Sequence, residues 1–240
     1  MGSLQNVKKF NPNFQIEDWC YENLKRVEEV ENYKFYNNAK VIKNYFVAVD
    51  KIVGTTHERY IGKRWLDLPY NMKRFYDYYT VDNFLNFSHT DDFTRKGMRY
   101  EKYGDYFFTS GGNHRTCQAK FSGLKNIKVD ITENVFDQSM FDVFNFLINE
   151  GLMPMISEGG CGKYYRFCSW TIQMNSREYY FQSFSAIEKF IDYYKIHVPS
   201  LVNNIFARFS KKEILFSYHE GKDYVHLKNA IILHKLNRRN

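Results

Sequence analysis

The sequence has few residues that break or crosslink a chain. It contains 4 Pro, 13 Gly and 4 Cys among 240 residues, and the cysteines form no Cys-x-x-Cys pair. A zinc ribbon is therefore unsupported, and a reduced, cytoplasmic setting is the simplest expectation. Neither a signal peptide nor a membrane-length apolar run is present, so we expect no membrane partner. The glycine turns lack the Gly-Lys-Ser/Thr ending of a Walker A loop.

Aromatic residues and positive charge are what the chain has in excess. Tyr and Phe number 20 and 22, and aromatic residues make up 19% of the chain, which predicts a folded protein. The formal net charge is +7 and the isoelectric point is near 9.0. Because Lys and Arg are spread along the chain, folding must assemble any positive surface. Such a surface would suit nucleic acid, but a mildly basic protein without that partner fits equally.

Residues 100–131 carry the densest structural signals. The aromatic runs Tyr100–Tyr103 and Tyr106–Thr109 flank Gly104-Asp105, and this spacing predicts a tight β-hairpin. The second strand leads into a glycine-rich turn, Ser110-Gly111-Gly112-Asn113.

A short helix is predicted to begin beside Asn113. Residues 115–122 contain no proline or glycine, and Gly123 stands where a helix end favours a left-handed residue. Apolar and polar residues then alternate over 127–131, the period of a half-buried strand.

A strand, glycine turn and helix in this order suit phosphate binding. The N–H groups of the first helical turn point out of the helix, and glycine lets a ligand come close. His114 and Arg115 add donors, and the arginine fork matches phosphate oxygens. A capped helix with a solvated arginine is the alternative. The candidate phosphate-binding residues of this turn are Ser110, Gly111, Gly112, Asn113, His114, Arg115 and Thr116.

Two segments resemble a known superfamily. The run YEKYGDYFFTSGGNHRTCQAKFSGLKNIKVDI is similar to the phosphate-binding segment of the ParB/sulfiredoxin-like superfamily, in which a Gly-x-His-Arg motif or a close variant lies between a strand and a helix. The earlier run VDKIVGTTHERY, Val49–Tyr60, resembles the motif that precedes it in phage and bacterial ParB-like proteins. The resemblance covers residues 46–132.

The resemblance implies nucleotide binding but leaves the reaction open. Members of the superfamily include partition proteins that hydrolyse CTP on DNA, sulfiredoxins that use ATP, free serine kinases and nuclease modules. Sulfiredoxins place the catalytic cysteine directly before the His-Arg pair, where this chain has Asn113, so sulfinic-acid repair is not expected. Cys117 is predicted to be a packing residue. No helix-turn-helix signature follows the core, which argues against plasmid partition.

The resemblance also places the loop after residue 53 across the nucleotide pocket from the phosphate turn. It implies an early catalytic glutamate, for which Glu58 is the candidate, because a carboxylate there can take a proton from an attacking hydroxyl or water. A surface Glu58–Arg59 pair is the alternative reading. The nucleotide-binding candidates of this loop are Gly54, Thr55, Thr56 and Arg59.

We therefore predict an α/β (α+β) fold in three regions. Residues 1–45 would form an N-terminal helical segment, 46–135 a ParB/sulfiredoxin-like mixed sheet with helices, and 136–240 a C-terminal α+β lobe. Apolar residues spaced near 3.6 predict an amphipathic helix over 17–36. Residues 45–53 predict the strand that leads into the Gly54 loop.

Three further segments allow a structural or a functional interpretation. Residues 63–79 mix cations with aromatics and predict a helix after Pro69, suited to core packing or to nucleic-acid strands. The turn 88–92 offers His and Asp side chains that could hold a divalent ion. The glycine cluster at 157–165, which contains Lys163, reads as a loop or as a lid over phosphates.

The C-terminal lobe is predicted from turn and cap signals. Asp137 or Ser139 would cap a helix that Gly151 ends, and residues 175–177 would join two strands of a hairpin. Ser185 would cap a second helix. Residues 214–218 and Tyr224–Leu227 are predicted to form a second hairpin.

These patterns favour phosphate chemistry with a nucleoside triphosphate such as ATP or CTP, by hydrolysis or phosphoryl transfer. Mg²⁺ bound to the nucleotide is the expected cofactor, because it neutralises phosphate charge. One alternative is a non-enzymatic phage or host-defence interaction protein that binds nucleic acid or a protein partner. Another is a ParB-like nuclease.

Overall fold

The computed structural model describes residues 3–71, 82, 85, 97–157, 168–197 and 224–238. The fold is α+β, as predicted, with helices and strands in each of two compact units. The first unit is Met1–Phe136 and the second is Asp137–Asn240. Within the described part of the chain, no helix is long and apolar enough to span a membrane.

The first unit is built on a mixed five-stranded sheet with the order β1-β5-β3-β4-β2. The pairs β1–β5 and β3–β4 are antiparallel, whereas β3–β5 and β2–β4 are parallel. The helices and strands of this unit are α1 Ser3–Phe10, β1 Tyr36–Ala48, β2 Ile52–Thr55, α2 Leu68–Asn71, β3 Arg99–Tyr103, β4 Tyr106–Gly111, α3 Asn113–Phe121 and β5 Asn126–Phe136.

The predicted hairpin and the strand that follows it are confirmed. Tyr103 pairs with Tyr106 at the end of the β3–β4 ladder, and Gly104 takes a positive φ of 58° in the turn. In β5, Ile127, Val129 and Ile131 are buried and the residues between them are partly exposed. The period-2 pattern thus marked the face of β5 that packs in the core.

The helix beside Asn113 is also confirmed. Gly112 stands before it with φ 85°, and Gly123 follows it with φ 79°, both in the left-handed region that favours glycine. The second half of α3 is buried, and the Phe121 ring lies 5.2 Å from the Trp19 ring and 5.3 Å from the Phe14 ring. The helix is therefore fixed to the core by its C-terminal half.

The predicted helix over 17–36 is wrong. The segment forms three short 3₁₀ turns, Asp18–Tyr21, Val27–Glu29 and Tyr33–Phe35, and then enters β1. Between the first two turns its backbone is bonded to distant segments: Leu24 N–H donates to Lys63 O at 2.9 Å. Hydrogen bonds to other parts of the chain replaced the i→i−4 bonds that a helix needs.

The second unit contains a three-stranded antiparallel sheet with the order β6-β7-β8. Asp137 Oδ1 accepts from the Met140 amide at 3.1 Å, so the predicted Asp137 cap is confirmed. Asn175 and Ser176 form the predicted hairpin turn, both with positive φ. The elements of this unit are α4 Gln138–Asn149, β6 Met155–Ile156, β7 Trp170–Met174, β8 Arg177–Phe181, α5 Phe184–Ile196 and α6 Tyr224–Asn237.

Two predictions in this unit are corrected. Ser183, not Ser185, caps α5: its hydroxyl accepts from the Ala186 amide at 3.3 Å. Tyr224–Leu227 is the first turn of α6 and not a strand. Leu227 and Ile231 are both buried, four residues apart, so a helical face was present in the sequence.

Several predictions fall outside the described residues. These are the part of the helix predicted after Pro69 that lies beyond residue 71, the possible cation turn at 88–92, the glycine cluster after residue 157 and the strand at 214–218.

Candidate functional site

The parallel pairing of β2 with β4 brings the two predicted nucleotide-binding segments together. Thr55 at the end of β2 pairs with Thr109, which directly precedes the glycine turn. The next amide, Thr56 N–H, donates to Thr109 O at 2.9 Å. Because parallel strands end at the same edge of a sheet, the loop after β2 and the turn after β4 emerge side by side.

Side chains connect the two segments directly. Thr109 Oγ1 donates to Asn113 Oδ1, and Thr55 Oγ1 lies 3.0 Å from the same oxygen and 3.0 Å from Thr109 O. The Thr55 hydroxyl also accepts from His57 N–H at 3.1 Å. The Asn113 carboxamide oxygen therefore faces two buried threonines, and its Nδ2 group faces away from them. This network holds the start of α3 against the loop after β2.

The glycine turn lies close to the backbone that precedes β3. A Cβ atom on Gly112 would come within 2.8 Å of Met98 Cγ and 3.1 Å of Met98 Cα. A Cβ atom on Gly111 would meet Gly97 O at 3.1 Å. Gly112 is thus favoured both by the close approach and by its backbone angle, whereas a Cβ atom on Gly111 would be a tight contact.

A buried tyrosine contacts the start of α3. Thr116 N–H donates to Gly112 O at 2.9 Å and is the first amide of the helix to bond in the i→i−4 pattern. Tyr100 OH lies 2.8 Å from Thr116 Oγ1, and both residues are fully buried. Burial raises the pKa of the Tyr100 hydroxyl, which therefore stays protonated. Thr116 thus positions the turn and does not face solvent.

Ser110, His114 and Arg115 present polar groups at the surface of the turn. Ser110 is exposed, and its hydroxyl donates to Arg99 O at 3.1 Å. His114 and Arg115 are partly exposed in the first turn of α3. With the first amides of the helix, these side chains place N–H groups at the start of α3.

Two candidates of the β2 segment are buried. A Cβ atom on Gly54 would lie 2.2 Å from Lys25 O and 2.7 Å from the Phe108 ring, so the glycine allows another strand-like segment to pass. Thr55 is fully buried, and Thr55 N–H donates to Lys25 O at 3.3 Å. We assign Gly54 and Thr55 to the support of the loop, whereas Thr56 is exposed beside the turn.

Glu58 and Arg59 lie at the surface of the loop. The Glu58 side chain is 80% exposed and lies 3.7 Å from Arg26 Nη2. Within the described residues, its ion pair is made with Arg26 and not with the Gly111–Thr116 turn. Arg59 stacks its guanidinium 6.0 Å from the Tyr60 ring. The interactions shown for these two candidates are therefore with Arg26 and Tyr60.

Metal and thiol chemistry find little support near the turn. Among the described residues, no cluster of three or more His, Cys, Asp or Glu side chains is arranged to hold a metal ion. Cys117 is fully buried, and burial raises the pKa of its thiol. A protonated, buried thiol is a poor nucleophile, which agrees with a packing role.

Sequence reasoning missed the residues that join the two segments. The sequence predicts Thr109 only as the end of a strand, whereas its carbonyl accepts from Thr55 Oγ1 and its hydroxyl lies 2.9 Å from the same atom. The sequence predicts Tyr100 as a strand residue and Lys25 as part of the 17–36 helix. Polar residues at the ends of two strands of the same sheet could have indicated that Thr109 joins the two segments. No local pattern indicates that Lys25 contacts β2.

Comparison of the chain with protein-family models, with curated proteins and with solved structures gave no match. The interpretation of the site therefore depends on its own geometry.

Proposed function

We propose that the chain binds a nucleoside triphosphate, ATP or CTP, at the Gly111–Arg115 turn and hydrolyses it or transfers its terminal phosphoryl group. We further propose that residues 46–132 form a ParB/sulfiredoxin-like core. The observation that supports both proposals is the contact between the β2 and β4 segments through Thr55, Thr109 and Asn113. The superfamily resemblance requires these two segments to be neighbours.

The donors of the turn match the chemistry of phosphate. The first amides of α3, the Arg115 guanidinium and the His114 ring offer N–H groups, and phosphate oxygens are acceptors. The helix dipole adds positive potential at the same end. Gly112 supplies the left-handed backbone angle from which the helix begins.

Mg²⁺ would be bound mainly by the nucleotide. The described residues offer no carboxylate cluster at the turn, and Mg²⁺ in phosphate sites commonly keeps waters and phosphate oxygens as its ligands. The ion would neutralise charge on the phosphates. The task left to the protein is to orient the phosphates and to exclude water from them.

Nucleotide binding is tested by isothermal titration calorimetry with ATP, ADP, CTP and GTP, each with and without Mg²⁺. Saturable binding of one triphosphate is expected. Arg115→Ala should weaken it at least tenfold, because a charge-assisted hydrogen bond contributes about 1.5–3 kcal/mol and about 1.4 kcal/mol is a factor of ten. The matched control is Arg177→Ala, an exposed arginine of the second unit, which should bind normally. If Arg115→Ala binds the nucleotide with unchanged affinity, the turn is not the nucleotide-binding site.

The role of Glu58 is tested by Glu58→Gln, which keeps the shape of the side chain and removes the base. We expect nucleotide affinity to persist and turnover to fall by about 10²-fold or more. Loss of the exposed Glu58–Arg26 pair should change stability by less than about 1 kcal/mol. Equal phosphate release by the variant and the parent would exclude Glu58 as the base.

Nucleic-acid binding without catalysis is the second candidate. Exposed aromatic rings of the first unit have cations beside them: Lys25 Nζ lies 5.8 Å from the Tyr106 ring, and Lys128 Nζ lies 5.7 Å from the Phe46 ring. Ring–cation pairs suit stacked bases and their phosphates. Anisotropy of a labelled single strand over a salt series, with a steep loss of affinity as salt rises, would favour this candidate if no nucleotide binds.

A further inference from the structure

A cavity of about 460 Å³ lies beside the C-terminal half of α3, within the first unit. Its lining includes Trp19, Lys120 and residues 123–126, which lead from the end of α3 into β5. Glu17 and Asp50 line it as well, and both are exposed. This volume falls in the range of small-molecule sites, which is about 300–1,000 Å³. Lys120 is seven residues from Asn113 in α3, which corresponds to about 10 Å along the helix axis.

The unusual group in this cavity is the Lys120 ammonium. The residue is 6% exposed, although lysine is rarely buried without a partner. Its Nζ lies 4.9 Å from the centre of the Trp19 ring and 4.5 Å from that of the Trp65 ring. Within the described residues, Lys120 has these two rings as contacts and no hydrogen-bond acceptor or ion-pair partner.

Two indole faces only partly replace the water that Lys120 loses. Cation–π contacts attract the charge, but they accept none of the three ammonium N–H groups in the manner of an oxygen atom. Burial lowers the pKa of Lys120 to about 8, against the opposing influence of Cys117, Glu22 and Asp50. Lys120 lines the cavity and has no oxygen acceptor among the described residues, so an acceptor bound in the cavity would supply one.

We propose that this cavity binds a small monocarboxylate, whose oxygens accept hydrogen bonds from Lys120 Nζ and whose apolar body packs on the Trp19 indole. The charged residues of the lining are Lys120, Lys125, Glu17 and Asp50, whose formal charges cancel, so the lining has no excess positive charge to hold a polyanion. Glu17 also accepts from Trp19 Nε1 at 3.0 Å, which fixes the orientation of the indole ring. The cavity is therefore a poor site for a nucleotide, and this proposal does not depend on the proposed nucleotide turn.

The test uses the full chain with benzoate as the probe. Benzoate titrated into ¹⁵N-labelled protein should shift the amide signals of residues 123–126 and the Trp19 indole N–H in a saturable way. Benzamide, which has the same shape without the charge, and benzylamine, which has the opposite charge, should bind at least tenfold more weakly. The proposal is overturned if benzoate gives no saturable shifts up to about 50 mM, a concentration at which even weak binding would be detected.

Variants of Lys120 show whether this lysine binds the ligand or only stabilises the fold. Lys120→Met keeps the length of the side chain and should lower benzoate affinity at least tenfold, because the acceptor pairs with a charged donor. The matched control is Lys43→Met, an exposed lysine of β1 outside the cavity, which should bind benzoate normally. A folded Lys120→Met protein with unchanged affinity would contradict the proposal. If that variant fails to fold, the test is made on the parent protein alone. Tighter binding of benzoate than of benzamide, seen at residues 123–126, supports the site, and equal binding contradicts it.

Discussion

At the scale of single residues, Gly112 shows why the turn after β4 needs glycine. The two glycines that flank α3 have nearly the same backbone angle, φ 85° for Gly112 and φ 79° for Gly123. Their surroundings differ, because a Cβ atom on Gly112 would meet Met98 Cγ at 2.8 Å, whereas one on Gly123 would meet nothing within 4 Å. Comparing the same substitution at the two glycines therefore separates the cost of backbone strain from the cost of steric conflict.

We predict that Gly123→Ala lowers the free energy of unfolding by about 1–2 kcal/mol, the cost of the left-handed region for a residue with a Cβ atom. Gly112→Ala should cost at least about 1 kcal/mol more, because Met98 or the turn must also move. Urea unfolding of both variants measures the difference. Equal losses would mean that the turn shifts freely and that Gly112 does not fix its position.

The sequence allowed prediction of the turn but not of the cavity around Lys120. Gly111, Gly112 and the helix that follows are local signals, so the site could be recognised from adjacent residues. Lys120 was not recognised because lysine in a helix is normally exposed. Its burial depends on Trp19 and Trp65, which are distant in sequence and meet only in the folded chain.

At the scale of elements, predictions succeeded where local pattern and tertiary contacts agree. The β3–β4 hairpin, α3 and β5 each have a turn residue and a periodicity that the fold preserves. The segment 17–36 failed because its hydrogen bonds go to other segments, and because Asn32 takes a left-handed φ of 59°. Its apolar residues contact the core without helical backbone.

The C-terminal helix α6 is attached to its unit by polar contacts at one end. His234 is 7% exposed, and its Nε2 lies 2.7 Å from Glu150 O. Because a carbonyl oxygen only accepts, Nε2 carries the hydrogen and Nδ1 would take a second proton. The Glu150 carboxylate also accepts from Arg238 at 2.5 Å and from the Tyr194 hydroxyl at 2.8 Å. Lys235 donates to Tyr194 O at 2.5 Å.

This arrangement predicts that acid weakens the second unit. Burial lowers the pKa of His234 below its ordinary value of 6.5, and the Arg238 and Lys235 charges act in the same direction, against the Glu150 contacts. The unfolded chain therefore binds a proton at a higher pH than the folded chain. The stability that comes from neutral His234 is fully present above pH 6.5 or so and is lost as pH falls through the folded pKa.

Unfolding of the parent and of His234→Gln, measured at pH 7.5 and pH 5.5 or nearby values in this range, tests the prediction. Glutamine can still donate to Glu150 O but does not titrate, so the variant should lose less stability than the parent on acidification. The same pH dependence in both proteins would assign the effect to other groups.

At the scale of the whole molecule, the chain divides into two units that each bury large side chains. The first buries Trp65, Tyr100, Phe108 and Phe121, and the second buries Trp170, Phe181, Phe184 and Tyr194. The division at Phe136 follows the end of β5, so it leaves the five-stranded sheet complete. Each unit therefore has its own sheet and its own core, as an independently folding domain requires.

We predict that the fragment 1–136 folds by itself, because all five strands of its sheet and both tryptophan rings around Lys120 lie within it. Circular dichroism should show mixed helix and strand content, and thermal unfolding should be a single cooperative transition. The matched control is the fragment 1–125, which lacks β5. Since β5 pairs with both β1 and β3, its removal detaches β1 from the sheet and leaves one edge of β3 without its hydrogen-bonded neighbour. The control should therefore be unfolded or aggregated. A fragment 1–136 without cooperative unfolding would show that the first unit needs residues 137–240 for its stability, and that the proposed site belongs to a larger folding unit.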